Sequence, residues 1–475
     1  MQSIYWFRND LRVHENPAFL HAVKSSETLL PVFVIDSSLF DDNHWGFSKT
    51  GAFRAKFLLE SLFDLNEQLR SLNSSLYVTI GNPAEVLSQL AIQHKVSTVF
   101  HQAEPACEER MERKKLESLL PESCQIKSLW GSTLFDLSDL PFSPTKMPDV
   151  FTSFRKKCEK STQIHRPAKT PDQLPPTPEG IRFPDIPTLR DLDIDEPDTD
   201  KRAVLHFKGG TKAGKKRVAE YIWEGDHLKS YKETRNGLIG SNYSSKFSPW
   251  LALGCISPRY IYQEVKRYEE ERVKNSSTYW LIFELMWRDY WKFLFIKHDP
   301  KMFYPGGIQD KEVDWRSSSV DFECWRTGNT GFPFIDANMR ELLHTGFMSN
   351  RGRQVVASFL AKNLQIDWRM GAAWFESQLA DYDVYSNYGN WAYVAGVGTD
   401  GRDRYFNIVS QAQKYDTEGE YVHLWCPELK DVPGKLLAEF HTLSPNELSM
   451  YNVKIGEDYP SPIIDLEKSY ERLRG

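Results

Sequence analysis

TLLPVFVID at residues 28–36, GAFRAKFLLESLFDLNEQLR at 51–70 and LYVTIG at 76–81 decide how the first third of the chain folds. The outer two are apolar runs of strand length. The middle one repeats its apolar residues every three or four positions, as an amphipathic helix does. Working outward, SIYWF at 3–7, VSTVFHQ at 96–102 and QIKSLW at 125–130 read as further strands. Asn16-Pro17 and Asn82-Pro83 open helices, because Asn accepts from free backbone N–H groups and Pro needs no donor in a first turn. Strand and helix alternate, so residues 1–135 are expected to form an α/β domain, a doubly wound parallel sheet with helices on both faces. RNDLRVHENP follows the first strand where GxGxxG would stand, which argues against a common dinucleotide site.

Beyond the strands the composition shifts. Between Asp136 and Asp200 lie 11 of the chain's 26 prolines, so residues 136–206 are expected to be a long connector with one short basic helix in FTSFRKKCEK. From 207 to 475 the apolar spacing is helical, as in 256–272, 277–296 and 353–368, and an all-α domain is expected.

The net charge of −6 neither predicts nucleic-acid binding nor excludes it, since a local basic surface can serve within an acidic whole. Six scattered cysteines without a CxxC pair fit free thiols better than a disulfide framework or a zinc site. No run is long and apolar enough for a membrane span, and the first residues lead straight into a strand, so a cytoplasmic protein is expected. GGTKAGKK at 209–216 nearly matches a phosphate loop. Lys216 stands where the magnesium-holding hydroxyl belongs, so a glycine hinge with solvated lysines is the better reading. Of 14 tryptophans, 11 lie from Trp223 onward; most are expected in the core, and some invite a redox or stacking role.

Three clusters carry candidate chemistry. Ser244, Ser245, Lys246, Phe247 and Ser248 precede Pro249, and Ser257 precedes Pro258. Both Ser-Pro pairs read as capped helix starts, and the first also offers hydroxyls, N–H groups and a cation to a pyrophosphate. Glu284 and Arg288 share a helix face, either as a surface ion pair or as a polar pocket among Trp280, Trp287 and Trp291. The stretch from Asp381 to Trp391 is polar and rich in Gly and Asn, and is expected to be a loop against helices. There Arg353 would balance an aspartate; a metal site is disfavoured because no His joins Asp381 and Asp383 at useful spacing.

FRNDLRVHENPAF at 7–19, SSKFSPWLALGCISPR at 244–259, ELMWRDYW at 284–291, TGNTGFPFIDANMREL at 327–342, ASFLAKNLQIDW at 357–368 and DYDVYSNYGNWAYVAGVGTD at 381–400 together resemble the photolyase/cryptochrome family over nearly the whole chain. The resemblance implies FAD in the helical half and an antenna, commonly 5,10-methenyltetrahydrofolate, in the α/β half. It implies FAD contacts at Tyr231, Ser244, Ser245, Lys246, Phe247, Ser248, Arg288, Asn350, Arg353, Asp381, Asp383 and Asn387, the last facing flavin N5. Glu104 matches a folate contact, and Glu284 the acid that hydrogen-bonds a damaged base. Trp391, Trp368 and Trp315 match an electron relay. Arg235, Glu284, Trp287, Asn350, Gln354 and Tyr393 are the expected DNA-facing set.

Two departures narrow the substrate. Tyr393 replaces the second Trp of the family's lesion platform, and Gln354 stands where relatives that repair double strands carry Met. With 141–159, these point to the cryptochrome DASH branch. The resemblance therefore implies a monomer that repairs cyclobutane pyrimidine dimers in single-stranded DNA. FMSN at 347–350 lacks the His of enzymes for the (6-4) lesion. The rival reading is a photoreceptor signalling through a partner, and a third is a flavoprotein that only binds nucleic acid.

Overall fold

The computed structural model describes residues 1–400 and 404–474. Five parallel strands, β1 (Gln2–Trp6), β2 (Thr28–Asp36), β3 (Tyr77–Gly81), β4 (Thr98–Gln102) and β5 (Gln125–Leu129), form one sheet in the order β3-β2-β1-β4-β5. Ser3 pairs with both Leu29 and Thr98, so β1 is central and buried on both faces, which is why such strands read as unbroken apolar runs. Ile4, Trp6, Leu30 and Val32 pack on one side with α3 (Pro83–Gln93) and α4 (Cys107–Leu119). Tyr5, Phe7, Leu29 and Ile35 pack on the other with α1 (Pro17–Ser25) and α2 (Ala52–Arg70). The expected caps are made: the Asn16 and Asn82 side chains accept from the backbone N–H groups of Phe19 and Glu85.

The connector carries α5 (Phe151–Ser161), which buries Phe151, Phe154 and Cys158 and leaves its lysines exposed. GGTKAGKK is not a hinge. Gly209 and Thr211 donate backbone N–H groups to Glu60 (2.7 Å) and Asp64 (2.8 Å) on α2, and Thr211 begins α6 (Thr211–Ala219). A Cβ on Gly210, which has φ +97°, would overlap Asp64, so glycine here permits close docking.

In the helical half, α7 (Ser248–Ala252), α8 (Pro258–Glu271) and α9 (Ser276–His298) share one core, while α10 (Pro333–Thr345), α11 (Asn350–Ser358) and α12 (Trp368–Gln378) build a second, and α13 (Val384–Ala395) packs on α9, α11 and α12. One apolar core runs from the sheet into this half, joining Tyr5 and Phe7 to Phe154, Phe293 and Tyr385. Polar ties cross the same joint. The buried Asp289 carboxylate accepts the N–H groups of Leu134 (3.0 Å) and Phe135 (2.9 Å), and Arg12 donates to Gly254 O (2.9 Å). Among the described residues, no helix is long and apolar enough to cross a membrane.

Candidate functional site: a cation cradle beside an aromatic wall

The first wall of the site is the segment from Tyr231 to α7. Ser257 caps α8 as expected, accepting from Tyr260 N–H at 3.0 Å. Ser248 does not cap. It is the first residue of the five-residue α7, and Phe247 before it has no hydroxyl to offer. The turn is held instead by Arg217 of α6, which sequence reading missed. Its guanidinium donates to Ser245 O (3.0 Å), Ser241 O (2.8 Å) and Asn242 Oδ1 (3.1 Å). Over this turn Lys246 is buried with a left-handed φ of +53°. Its Nζ lies 3.2 Å from the Tyr243 ring centre, with Gly240 O at 3.3 Å.

Lys246 makes no ion pair among the described residues. Burial, reinforced by the Arg217 charge, pushes its ammonium down to about 6, against a smaller pull from Glu341. Glu341 is itself buried, accepts from the Tyr421 hydroxyl at 2.6 Å, and is pushed up to about 8 by burial. Two buried cations over a serine-rich turn, with only carbonyls as acceptors, fit a bound diphosphate. An anion there would supply the charge that burial removes.

The second wall is one face of α9. Glu284 does not pair with Arg288. Its Oε1 accepts from Arg235 (2.8 Å) and from Trp280 Nε1 (3.1 Å), and burial raises its carboxyl despite the Arg235 charge. Arg288 instead donates to Ser132 O (2.6 Å) and Leu251 O (3.1 Å), tying the α/β half to α7. It thus joins main-chain segments, a setting different from the cofactor contact expected of it. Trp287 is half-buried, stacked on Phe151 of the connector helix at 3.6 Å and 11°, with Tyr393 edge-on at 6.4 Å. The Tyr393 hydroxyl bonds Asp400 at 3.0 Å.

The third wall corrects the sequence reading most. Residues 384–395 form a helix, α13, where a loop was expected. Asp383 caps it, accepting from Ser386 N–H at 2.7 Å, and its polar, small residues let it pack closely: a Cβ on Gly389 would overlap the Trp291 ring of α9. Arg353 grips Asp381 with both carboxylate oxygens within 3.0 Å of Nη2. Asn387 is buried, and its amide nitrogen donates to Ala372 O at 2.9 Å. Asn350 is exposed at the start of α11, while the Gln354 amide oxygen is buried without a hydrogen-bond partner among the described residues. Arg351 donates to Asn236 Oδ1 (3.3 Å), linking α11 to the segment that carries Arg235.

Of the three relay candidates, Trp391 and Trp368 are buried and Trp315 lies nearer the surface. Trp391 packs where a Cβ on Gly371 of α12 would overlap its ring. Trp368 opens the same helix, one turn away, and Trp315 is half-exposed. The indole nitrogens of Trp368 and Trp315 both donate to Pro305 O at 3.1 Å, so they lie at most two hydrogen-bond lengths apart.

Glu104 departs from its expected setting. Its carboxylate is buried and accepts from Lys292 Nζ (2.6 Å), the Tyr385 hydroxyl (2.7 Å) and Gln102 Nε2 (2.9 Å), which makes it part of the joint between the halves.

Comparison with known proteins bears on the same residues. Residues 3–178 match the family model described as DNA photolyase, and residues 280–474 match the FAD binding domain of DNA photolyase. The chain is 49% identical to a cryptochrome DASH of Natronomonas pharaonis, with 99% of each chain covered. It is 50% identical to the chloroplastic/mitochondrial cryptochrome DASH of Arabidopsis thaliana, over 91% of this chain and 76% of that protein. The crystal structure of a Synechocystis cryptochrome superposes with a TM-score of 0.96 at 48% identity, covering 100% of this chain and 99% of that one. A class III photolyase from Agrobacterium tumefaciens superposes at 0.83 with 29% identity, over 100% and 96%.

Proposed function

This chain belongs to the photolyase/cryptochrome family, and we propose that it uses blue light to split cyclobutane pyrimidine dimers, preferentially in single-stranded DNA. The observation that carries this reading is Glu284. It is a half-buried acid, held by Arg235 and Trp280, set between the aromatic wall at Trp287 and the cradle that begins at Tyr231. FAD bound in the cradle, when reduced, supplies light-driven one-electron chemistry. The chain's own residues bind, orient and protonate.

Lys246 and Arg217 would hold the diphosphate of FAD, and the Arg353–Asp381 pair would border the rest of the cofactor. Asn387, anchored through its amide nitrogen on Ala372 O, would offer its amide oxygen to the flavin ring. Burial raises the Glu284 carboxyl against the pull of the Arg235 charge, and in its protonated form it donates a hydrogen bond to the pyrimidine carbonyl that gains charge. Trp287 and Tyr393 receive the dimer, and Asn350 and Gln354 face its backbone and edge.

Extruding a dimer from a duplex costs a few kcal/mol, and stacking returns about 1–3 kcal/mol per base. One face of Trp287 is already covered by Phe151, and Tyr393 offers a smaller ring than Trp. The return is smaller, which favours strands that are already unstacked. The antenna reading, 5,10-methenyltetrahydrofolate, rests on the family resemblance. Because the Glu104 carboxylate is engaged, any folate would be held by its neighbours. A near-ultraviolet absorption band beside the flavin bands tests it.

The deciding experiment is loss of a thymine dimer from a single-stranded oligonucleotide under blue light, with dark and Glu284→Ala controls. We expect loss only in the lit wild type. A dimer that persists there favours the photoreceptor reading suggested by the relatives' name, cryptochrome. For the relay, Trp391→Phe is expected to abolish photoreduction of oxidised flavin while chemically reduced protein still repairs. Unchanged photoreduction removes that assignment.

A further inference from the structure

The first turns of α9 carry an apolar stripe at positions 280, 283 and 287, the spacing of one helix face. Such a stripe is normally core, yet Trp280, Phe283 and Trp287 are only half-buried. Trp280 and Phe283 stack on each other at 4.7 Å and 28°, and α5 covers one flank through Phe151, edge-on to Phe283 at 5.2 Å.

Cations sit over the open part. Lys232 Nζ is 5.0 Å and the Arg235 guanidinium 5.4 Å from the Trp280 ring, and Arg155 is 5.6 Å from Phe283. Of the neighbouring acids, Glu159 is paired with Arg155 and Glu284 with Arg235, while Glu233 accepts from the Ser277 hydroxyl and keeps its charge near Lys232. Lys232 is exposed and makes no ion pair among the described residues. The same holds for Lys156, Lys157 and Lys160 on the open face of α5. Six cations, Arg155, Lys156, Lys157, Lys160, Lys232 and Arg235, thus face three carboxylates, Glu159, Glu233 and Glu284, and the local balance is positive within a chain of net charge −6.

We propose that the Trp280–Phe283 stripe, with Lys232 beside it, seats the unpaired strand that leads away from the lesion pocket at Glu284. The occupant follows from the two chemistries present. Rings stack on exposed base faces, and ammonium groups pair with the phosphates between them. An acidic peptide would use the lysines and leave the rings idle, and a duplex would hide its base faces from them. The seat extends the repair reading, since it begins at the Glu284 pocket and gives its substrate a preferred form.

The test uses undamaged oligothymidylate of about ten nucleotides, a length within the usual site size of single-strand binders. Binding to the flavin-loaded protein is followed by fluorescence anisotropy. Trp280→Ala is expected to weaken binding roughly tenfold, a typical loss for one stacked base, while Trp280→Phe keeps most of it. Lys232→Ala, an exposed change that cannot unfold the protein, should lower the slope of log affinity against log salt by about one. Variants that bind like the wild type, or a wild type that does not bind, overturn the proposal.

The repair reading is read out separately with the bare dinucleotide dimer, which is too short to reach the stripe. Lys232→Ala should repair it as the wild type does. If the wild type leaves it intact while the stripe variants still lose oligothymidylate, the repair reading fails and the seat stands.

Discussion

Lys292 and Lys246 are equally buried, at 3% exposure each, and differ in everything else. Lys292, at the joint between the halves, meets Glu104 at 2.6 Å and lies 4.6 Å from the Tyr385 ring. Burial alone would raise the Glu104 carboxyl, but the Lys292 charge holds it below its ordinary value. Lys246, in the cradle, has a ring and one carbonyl for company and is pushed down to about 6. One region is a finished joint. The other is half of an ionic contact whose second half must come from a ligand.

Breaking the finished pair should cost most. Lys292→Met leaves the buried Glu104 charge with two neutral donors, Tyr385 and Gln102, and no paired cation, and is expected to lower unfolding stability by about 3–5 kcal/mol, measured by denaturant titration. The double variant with Glu104→Leu should recover most of that loss. If it does not, the joint acts through packing and the contrast weakens.

At the cradle the sign reverses. Lys246→Met should stabilise the flavin-free protein near neutral pH, by an order of magnitude of a few kcal/mol, and weaken FAD binding about ten- to a hundredfold. The folded ammonium titrates near 6 and the unfolded one near about 10.4. Between these values the unfolded chain binds more protons, so flavin-free stability rises with pH across that window. A diphosphate restores the charge, so FAD binding at pH 8 should take up a proton. Titration calorimetry in two buffers of different ionisation enthalpy would show it, and Lys246→Met should abolish it.

The smallest effect separates a cap from a contact. Asp383→Ala should cost about 1 kcal/mol through loss of the α13 cap. If FAD affinity falls by more than that stability loss explains, Asp383 touches the cofactor as well.

Much of this was legible in the chain. Apolar runs, Asn-Pro starts and the connector helix are local signals, and the structure shows each of them. What escaped reading is non-local. Arg217 finds its acceptors 24 to 28 residues away, at no periodic spacing. Arg288 turns from its i−4 neighbour Glu284 to two carbonyls on other segments, 156 and 37 residues distant. The glycine and asparagine content of 384–395 suggested a loop because Gly weakens a helix taken alone. In the folded chain Gly389 admits the Trp291 ring, and packing outweighs propensity.

Helix α9 belongs to both halves at once: Glu284 near its start serves the pocket, while Asp289 and Lys292 farther along are fastened to the sheet side. The ties between the halves therefore run through one helix as well as through the connector. A fragment cut near residue 206 would present the cleaved face of a continuous core to water and aggregate. In scanning calorimetry the intact protein would give a single endotherm.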